Sequence, residues 1–161
     1  MLVVTAILVV ASVALADSFR GSPLANPPPS ATKSGQPSAS ATAPQVRYTG
    51  EVTIVTDAKD LDRVPPAKAG KENGGDFEYN AWNGNIFPDG DSSLALWSGK
   101  TQPSYFDCTN RAAAASMTSL HLKVGDTVCA LTGEGRTVRM KATKHCDGYC
   151  AIFETVVWEL P

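Results

Sequence analysis

In residues 46–56, VRYTGEVTIVT, Val46, Tyr48, Val52 and Ile54 share one parity and Arg47, Thr49, Glu51 and Thr53 the other. Successive side chains of a strand point to opposite faces, so this pattern predicts a strand with one face on a core and one in water. Shorter versions recur in DFEYNAW (76–82), SLALW (93–97), LHLKV (120–124), DTVCALT (126–132), RTVRMKAT (136–143) and AIFETVVWEL (151–160). Turn signals separate them: Pro65-Pro66, Gly74-Gly75, Pro88-Asp89-Gly90-Asp91, Gly125-Asp126 and Gly133-Glu134-Gly135. Many short alternating segments with no long helical period predict an all-β domain, an antiparallel β-sandwich or barrel-like fold. Only CTNRAAAASM (108–117) reads as a helix, and a short one.

The last three segments carry most of this reading. TVCALTGEGRTVRMKAT forms a hairpin across Gly133-Glu134-Gly135, and FETVVWEL is apolar on both parities, which predicts a central, covered strand. Trp158 is therefore expected in the core. Trp82 precedes the polar loop Asn83-Gly84-Asn85, where an exposed ring can meet a ligand; Trp97 is left open between the two roles.

The domain, residues 46–161, follows two segments of different character. Residues 1–16 are an apolar run ending in Ala14-Leu15-Ala16, a small-residue pattern suited to signal-peptidase cleavage. No basic residue precedes Leu2, so the alternative is the outer part of a membrane anchor. Residues 17–45 are rich in Pro, Ser, Ala and Thr without apolar periodicity, and are expected to be a disordered linker that holds the domain away from a membrane or wall. Both readings of the apolar run place the domain outside the cytoplasm, secreted or membrane-anchored through residues 1–16. The chain carries 14 Lys and Arg against 16 Asp and Glu, so no nucleic-acid or anionic-lipid partner is expected.

All four cysteines, Cys108, Cys129, Cys146 and Cys150, lie in the domain, and an even count in an exported chain points to two disulfides. Of three pairings, spacing favours Cys108 with Cys129 and Cys146 with Cys150. In KHCDGYC (144–150) a loop of Asp147-Gly148-Tyr149 sets Cys146 opposite Cys150, whereas a two-residue Asp147-Gly148 turn opposes Cys146 to Tyr149 and Cys150 to His145. His145 is then an exposed strand-end residue. A zinc site from His145, Cys146, Cys150 and His121 lacks the paired ligand spacing such sites use, and a three-residue spacer differs from the two-residue redox motif. A Cys–His nucleophile is disfavoured because strand neighbours point to opposite faces.

No GxSxG elbow, phosphate-binding Gly loop or HExxH occurs. The stretch from Asp57 to Asp62 departs from the calcium-loop spacing. No cofactor and no metal are expected. Glu51, Glu78 and Asp107 are the carboxylates left as candidates for a hydrolase acid/base pair.

Taken in order, "DLD" (60–62), "FEYNAWNGNIFPDGDSSLALW" (77–97), Cys108, "TVCALTGEGRTVRMKAT" (127–143) and "VVWE" (156–159) resemble a known family. It is the small domain at the extracytoplasmic C-termini of actinobacterial serine/threonine protein kinases, also found in secreted proteins and lipoproteins of those bacteria. The resemblance covers about residues 47–161 and implies a β-rich sensor or binding module with Cys108 and Cys129 paired. Cys146 and Cys150 fall outside the pattern. The chain contains no kinase Gly-rich loop, HRD or DFG motif, so kinase activity does not carry over. The expectation is a non-catalytic exported module that binds an envelope or extracellular ligand or protein. The alternatives are a small secreted hydrolase and a structural envelope spacer.

Overall fold

The computed structural model describes residues 42–70 and 74–161; the apolar run at 1–16 and the linker through residue 41 lie outside the described residues. In chain order the elements are β1 (Val46–Ile54), β2 (Lys59–Asp60), β3 (Ala67–Lys68), β4 (Phe77–Asn80), β5 (Asn85–Pro88), β6 (Ser93–Leu96), α1 (Tyr105–Ala114), β7 (Leu120–His121), β8 (Thr127–Leu131), β9 (Thr137–Cys146) and β10 (Cys150–Trp158). They form two five-stranded antiparallel sheets, ordered β1-β10-β9-β8-β6 and β3-β2-β4-β5-β7. The fold is a β-sandwich with one short helix.

The two sheets share one apolar core. Val52, Ile54, Leu94, Val128, Ala130, Val138, Met140, Ala142, Ala151, Phe153 and Val157 from the first sheet join Phe77, Tyr79, Ile86 and Leu120 from the second and Leu61 beside it. The alternation of buried positions along β9 and β10 follows the period-two pattern of the sequence, while β8 is covered on both faces, with Val128, Cys129 and Ala130 all buried. β10 lies between β1 and β9, as an apolar strand with two covered faces must. Trp158 is buried on the face opposite Val157 and packs edge-on against Tyr105 of α1, with ring centroids 5.8 Å apart and the Arg139 guanidinium over the indole.

The helix covers the outer face of this sheet. It starts at Tyr105, three residues before the alanine-based expectation, because Ser104 caps it: the Ser104 hydroxyl accepts from the Asp107 N–H while the Asp107 carboxylate accepts from the Ser104 N–H. Tyr105, Cys108 and Ala112 face the sheet. The Cys108–Cys129 disulfide ties α1 to β8 across a Cα separation of 4.6 Å, and Thr109 Oγ1 meets Thr137 Oγ1 at 2.7 Å.

Four expectations need correction. Val46 does not share the inward face expected from its parity and is about half exposed, because a bulge between Val46 and Tyr48 shifts the register of β1 on β10. The short strands β2, β3 and β5 were not anticipated; β5 runs through residues whose Asn-Gly and Pro-Asp-Gly flanks read only as turns. LHLKV pairs over only Leu120–His121 before the Gly125-Asp126 turn. His145 is half-buried rather than exposed, since β9 continues to Cys146 and lays the imidazole against Tyr79.

Candidate functional site

The β9–β10 hairpin ends in a braced tip. Asp147 and Gly148 both have positive φ, 43° and 87°, and the Tyr149 N–H donates to the Cys146 carbonyl at 2.7 Å, closing a tight turn. Cys146 and Cys150 nevertheless stand opposite each other and are disulfide-bonded, with Cα atoms 5.0 Å apart. The register is therefore that of the three-residue loop Asp147-Gly148-Tyr149; the two-residue alternative, which opposed Cys146 to Tyr149 and Cys150 to His145, does not occur. Outside the ladder, Tyr149 is pushed into solvent and is 75% exposed.

The second wall comes from the other sheet. The β4–β5 turn is held by hydrogen bonds from Trp82 N–H to Asn80 Oδ1 (2.9 Å), Gly84 N–H to Asn80 O (2.9 Å) and Asn85 N–H to Asn83 Oδ1 (3.0 Å). His121 Nδ1 reaches the Asn83 carbonyl at 2.9 Å, fixing the same loop from β7. The backbone is thus secured while the Trp82 ring is 97% exposed. An indole in water on an ordered loop contributes nothing to the core.

The tip and the turn meet. A Cβ built on Gly148 would lie 3.6 Å from the Ala81 carbonyl oxygen, and Tyr79 Oη is 3.1 Å from His145 Nδ1 just beneath. Thr56, Ala81, Trp82, Asp147, Gly148 and Tyr149 line an open, mostly apolar cleft of about 320 Å³ at this end of the sandwich. That volume falls within the range of small-ligand sites. Trp82, the aromatic that the sequence marks as exposed beside a polar loop, lines this cleft; Tyr149 lines it too, and its only signal in the sequence is its place beside the Asp-Gly turn. Trp97 instead folds under the Gly99 loop and donates from Nε1 to the Thr101 carbonyl at 2.8 Å.

A second feature is an acidic hollow of about 420 Å³ lined by Asp60, Asp62, Asp76, Asp89, Asp91 and Glu134, among others. One carboxylate oxygen from each of Asp60, Asp62 and Asp76 lies within 4.8 Å of the other two. The oxygens of Asp62 and Asp76 are already engaged. Asp76, 3% exposed, accepts from Leu61 N–H (2.6 Å), Gly133 N–H (2.7 Å) and the Ser92 hydroxyl (3.0 Å). Asp62 accepts from the Thr132 hydroxyl (2.7 Å), Glu134 N–H (3.2 Å) and Arg136 Nη1 (2.8 Å). Burial raises the Asp76 carboxyl above its ordinary value, opposed by the Gly133 and Leu61 N–H groups and reinforced by the neighbouring Asp62 charge. Glu134 and Asp62 together hold the Arg136 guanidinium above its usual value.

These groups form a latch. Asp62, Thr132, Arg136 and Glu159 converge: Arg136 Nε faces Glu159 at 3.8 Å, and Arg47 bridges Glu159 (3.0 Å) to the Asp62 carbonyl (3.1 Å). These polar residues thus join the β2–β3 loop, the β8–β9 turn and the end of β10.

The remaining candidates are dispersed. Glu51 stands on β1 opposite Glu154, Glu78 on β4 in the other sheet, and Asp107 serves the cap of α1. The sulfurs of Cys146 and Cys150 are bonded to each other, so they supply no thiolate to the His145–His121 zinc alternative.

The fold and its covalent ties define a two-disulfide β-sandwich domain, and two disulfides fit an oxidising, extracytoplasmic environment. No helix among the described residues is long and apolar enough to cross a membrane. No protein-family model, curated protein or solved structure matches the chain.

Proposed function

We propose that residues 46–161 are a non-catalytic binding module that captures an envelope or extracellular ligand on the Trp82–Tyr149 cleft, exported by residues 1–16 and displayed on the 17–45 linker. The observation that carries this reading is two aromatic residues, 97% and 75% exposed, that line one cleft from turns whose backbones are hydrogen-bonded and disulfide-braced. Preorganised turns lower the ordering cost of binding, and amphipathic aromatic rings supply contact area with few rotors to freeze. The resemblance to sensor domains attached to actinobacterial kinases supports the same class of role.

Two measurements test it. The protein and its Trp82→Ala variant are compared for binding to wall fragments, glycans and secreted proteins; capture lost in the variant supports the reading, and consistent silence sinks it. A screen of glycosidase, esterase and peptidase substrates checks the non-catalytic part, where turnover abolished by a single Asp or Glu to Ala change overturns it. Kinase association is tested by the DNA upstream of Met1, where a continuous kinase reading frame is the supporting result.

A further inference from the structure

The geometry points to a neutral glycan as the ligand of the Trp82–Tyr149 cleft, with pyranose rings stacked on the indole and phenol and ring hydroxyls donating to the Asp147 carboxylate. This rests on the binding reading above and names its ligand class. Three features of the cleft select that chemistry. The two rings offer flat apolar faces open to solvent, which suit the C–H face of a sugar. The polar groups of the lining residues are mixed: the Asp147 carboxylate accepts, and the hydroxyls of the exposed Thr56 and Tyr149 both donate and accept. A sugar presents just such a pairing, an apolar face rimmed by groups that donate and accept.

Charge and openness exclude the competing ligands. Asp147 enters no ion pair among the described residues, and no basic residue lines the cleft, so a uronate or phosphorylated ligand meets an uncompensated carboxylate. A proline-rich peptide stacks well on aromatic rings, but its prolines carry no N–H to donate to the Asp147 carboxylate. An alkylammonium group is bound strongly by rings that enclose it, and rings as exposed as these leave the cation in water.

The test titrates the full-length protein with neutral hexasaccharides of N-acetylglucosamine, glucose, xylose and mannose, and in parallel with decaproline and with tetramethylammonium. Tryptophan fluorescence and amide and indole N–H resonances are followed. At least one hexasaccharide is expected to shift the Trp82 indole and Gly148 signals, with affinity falling roughly tenfold or more in Trp82→Ala. Asp147→Asn is expected to weaken binding several-fold, and Tyr149→Phe, which keeps the ring, to weaken it less than Tyr149→Ala. Because Trp82 lies in solvent, its replacement leaves the fold intact. Glycan binding that persists in Trp82→Ala overturns the assignment. Shifts of the same signals by decaproline or tetramethylammonium but by no sugar overturn the glycan and leave the cleft as a binding site; silence toward all three classes overturns both.

Discussion

Arg136 donates through Nη1 to the Asp62 carboxylate at 2.8 Å, joining residues 74 apart in the chain, and both side chains are largely shielded from water. Removing the cation strands a carboxylate that was desolvated in its presence. Arg136→Ala is expected to destabilise the domain by about 3 kcal/mol, read as a fall in the urea midpoint at unchanged m-value. A loss within the noise of surface substitutions would contradict the latch.

Asp76 supplies the acceptors for two backbone N–H groups, Leu61 and Gly133. Asp76→Ala leaves both without a partner, at a cost of about 2–4 kcal/mol. Asp76→Asn is expected to be unstable as well, because its amide presents N–H to a site built of donors. A variant with wild-type thermal stability would show that water replaces the carboxylate at no cost.

The raised Asp76 carboxyl also fixes a sign with pH. The folded state binds this proton more tightly than the unfolded chain, so the contribution of the group increases as pH falls from the raised value toward 3.8, and is lost as pH rises through it. Stability of the wild type relative to Asp76→Asn is therefore expected to grow on acidification toward pH 4. Thermal unfolding of the pair across that range measures it, and a flat or opposite difference would refute the burial account.

The two disulfides close loops of different length, with sequence separations of 21 and 4. In the chain-entropy model, removing Cys108–Cys129 costs about 3.4 kcal/mol and removing Cys146–Cys150 about 2. Paired Cys→Ala variants under denaturant should rank in that order, and the first should also loosen α1 in hydrogen exchange. The reverse ranking would mean that the hairpin tip, not the helix, is the weaker attachment.

The tryptophans separate by role. Trp158→Ala, emptying a space between β10 and α1, is expected to cost about 3–5 kcal/mol, whereas Trp82→Ala should change stability by less than about 0.5 kcal/mol. Comparable losses at the two positions would show that Trp82 packs in solution.

Much of this domain was legible because it depends on local periodicity. Alternation in β8, β9 and β10 and the double-sided apolarity of FETVVWEL led directly to antiparallel strands with β10 inside the sheet and Trp158 covered. Spacing and compartment together pointed to both disulfides, and the Asp147-Gly148 turn carried its own signature. The two-residue strands β2 and β3 are too short for any period to register, β7 keeps only the first two residues of LHLKV, and β5 is masked by its turn-forming flanks. The start of α1 was shifted by the Ser104–Asp107 capping box, outweighing the alanine run.

By itself, then, the sequence determined the elements whose physics is local: strand periods, tight turns, the cysteine framework and the exposed character of the Asn-rich loop after Trp82. Only the tertiary structure decided which distant polar groups meet, because hydrogen-bond and charge partners depend on how two sheets are superposed. It set Asp62 on Arg136, buried Asp76 beneath Gly133 and drew His145 under Tyr79. It also brought Trp82 from one sheet beside Tyr149 from the other, since the β4–β5 turn and the β9–β10 tip share one end of the sandwich. No sequence period records that neighbourhood.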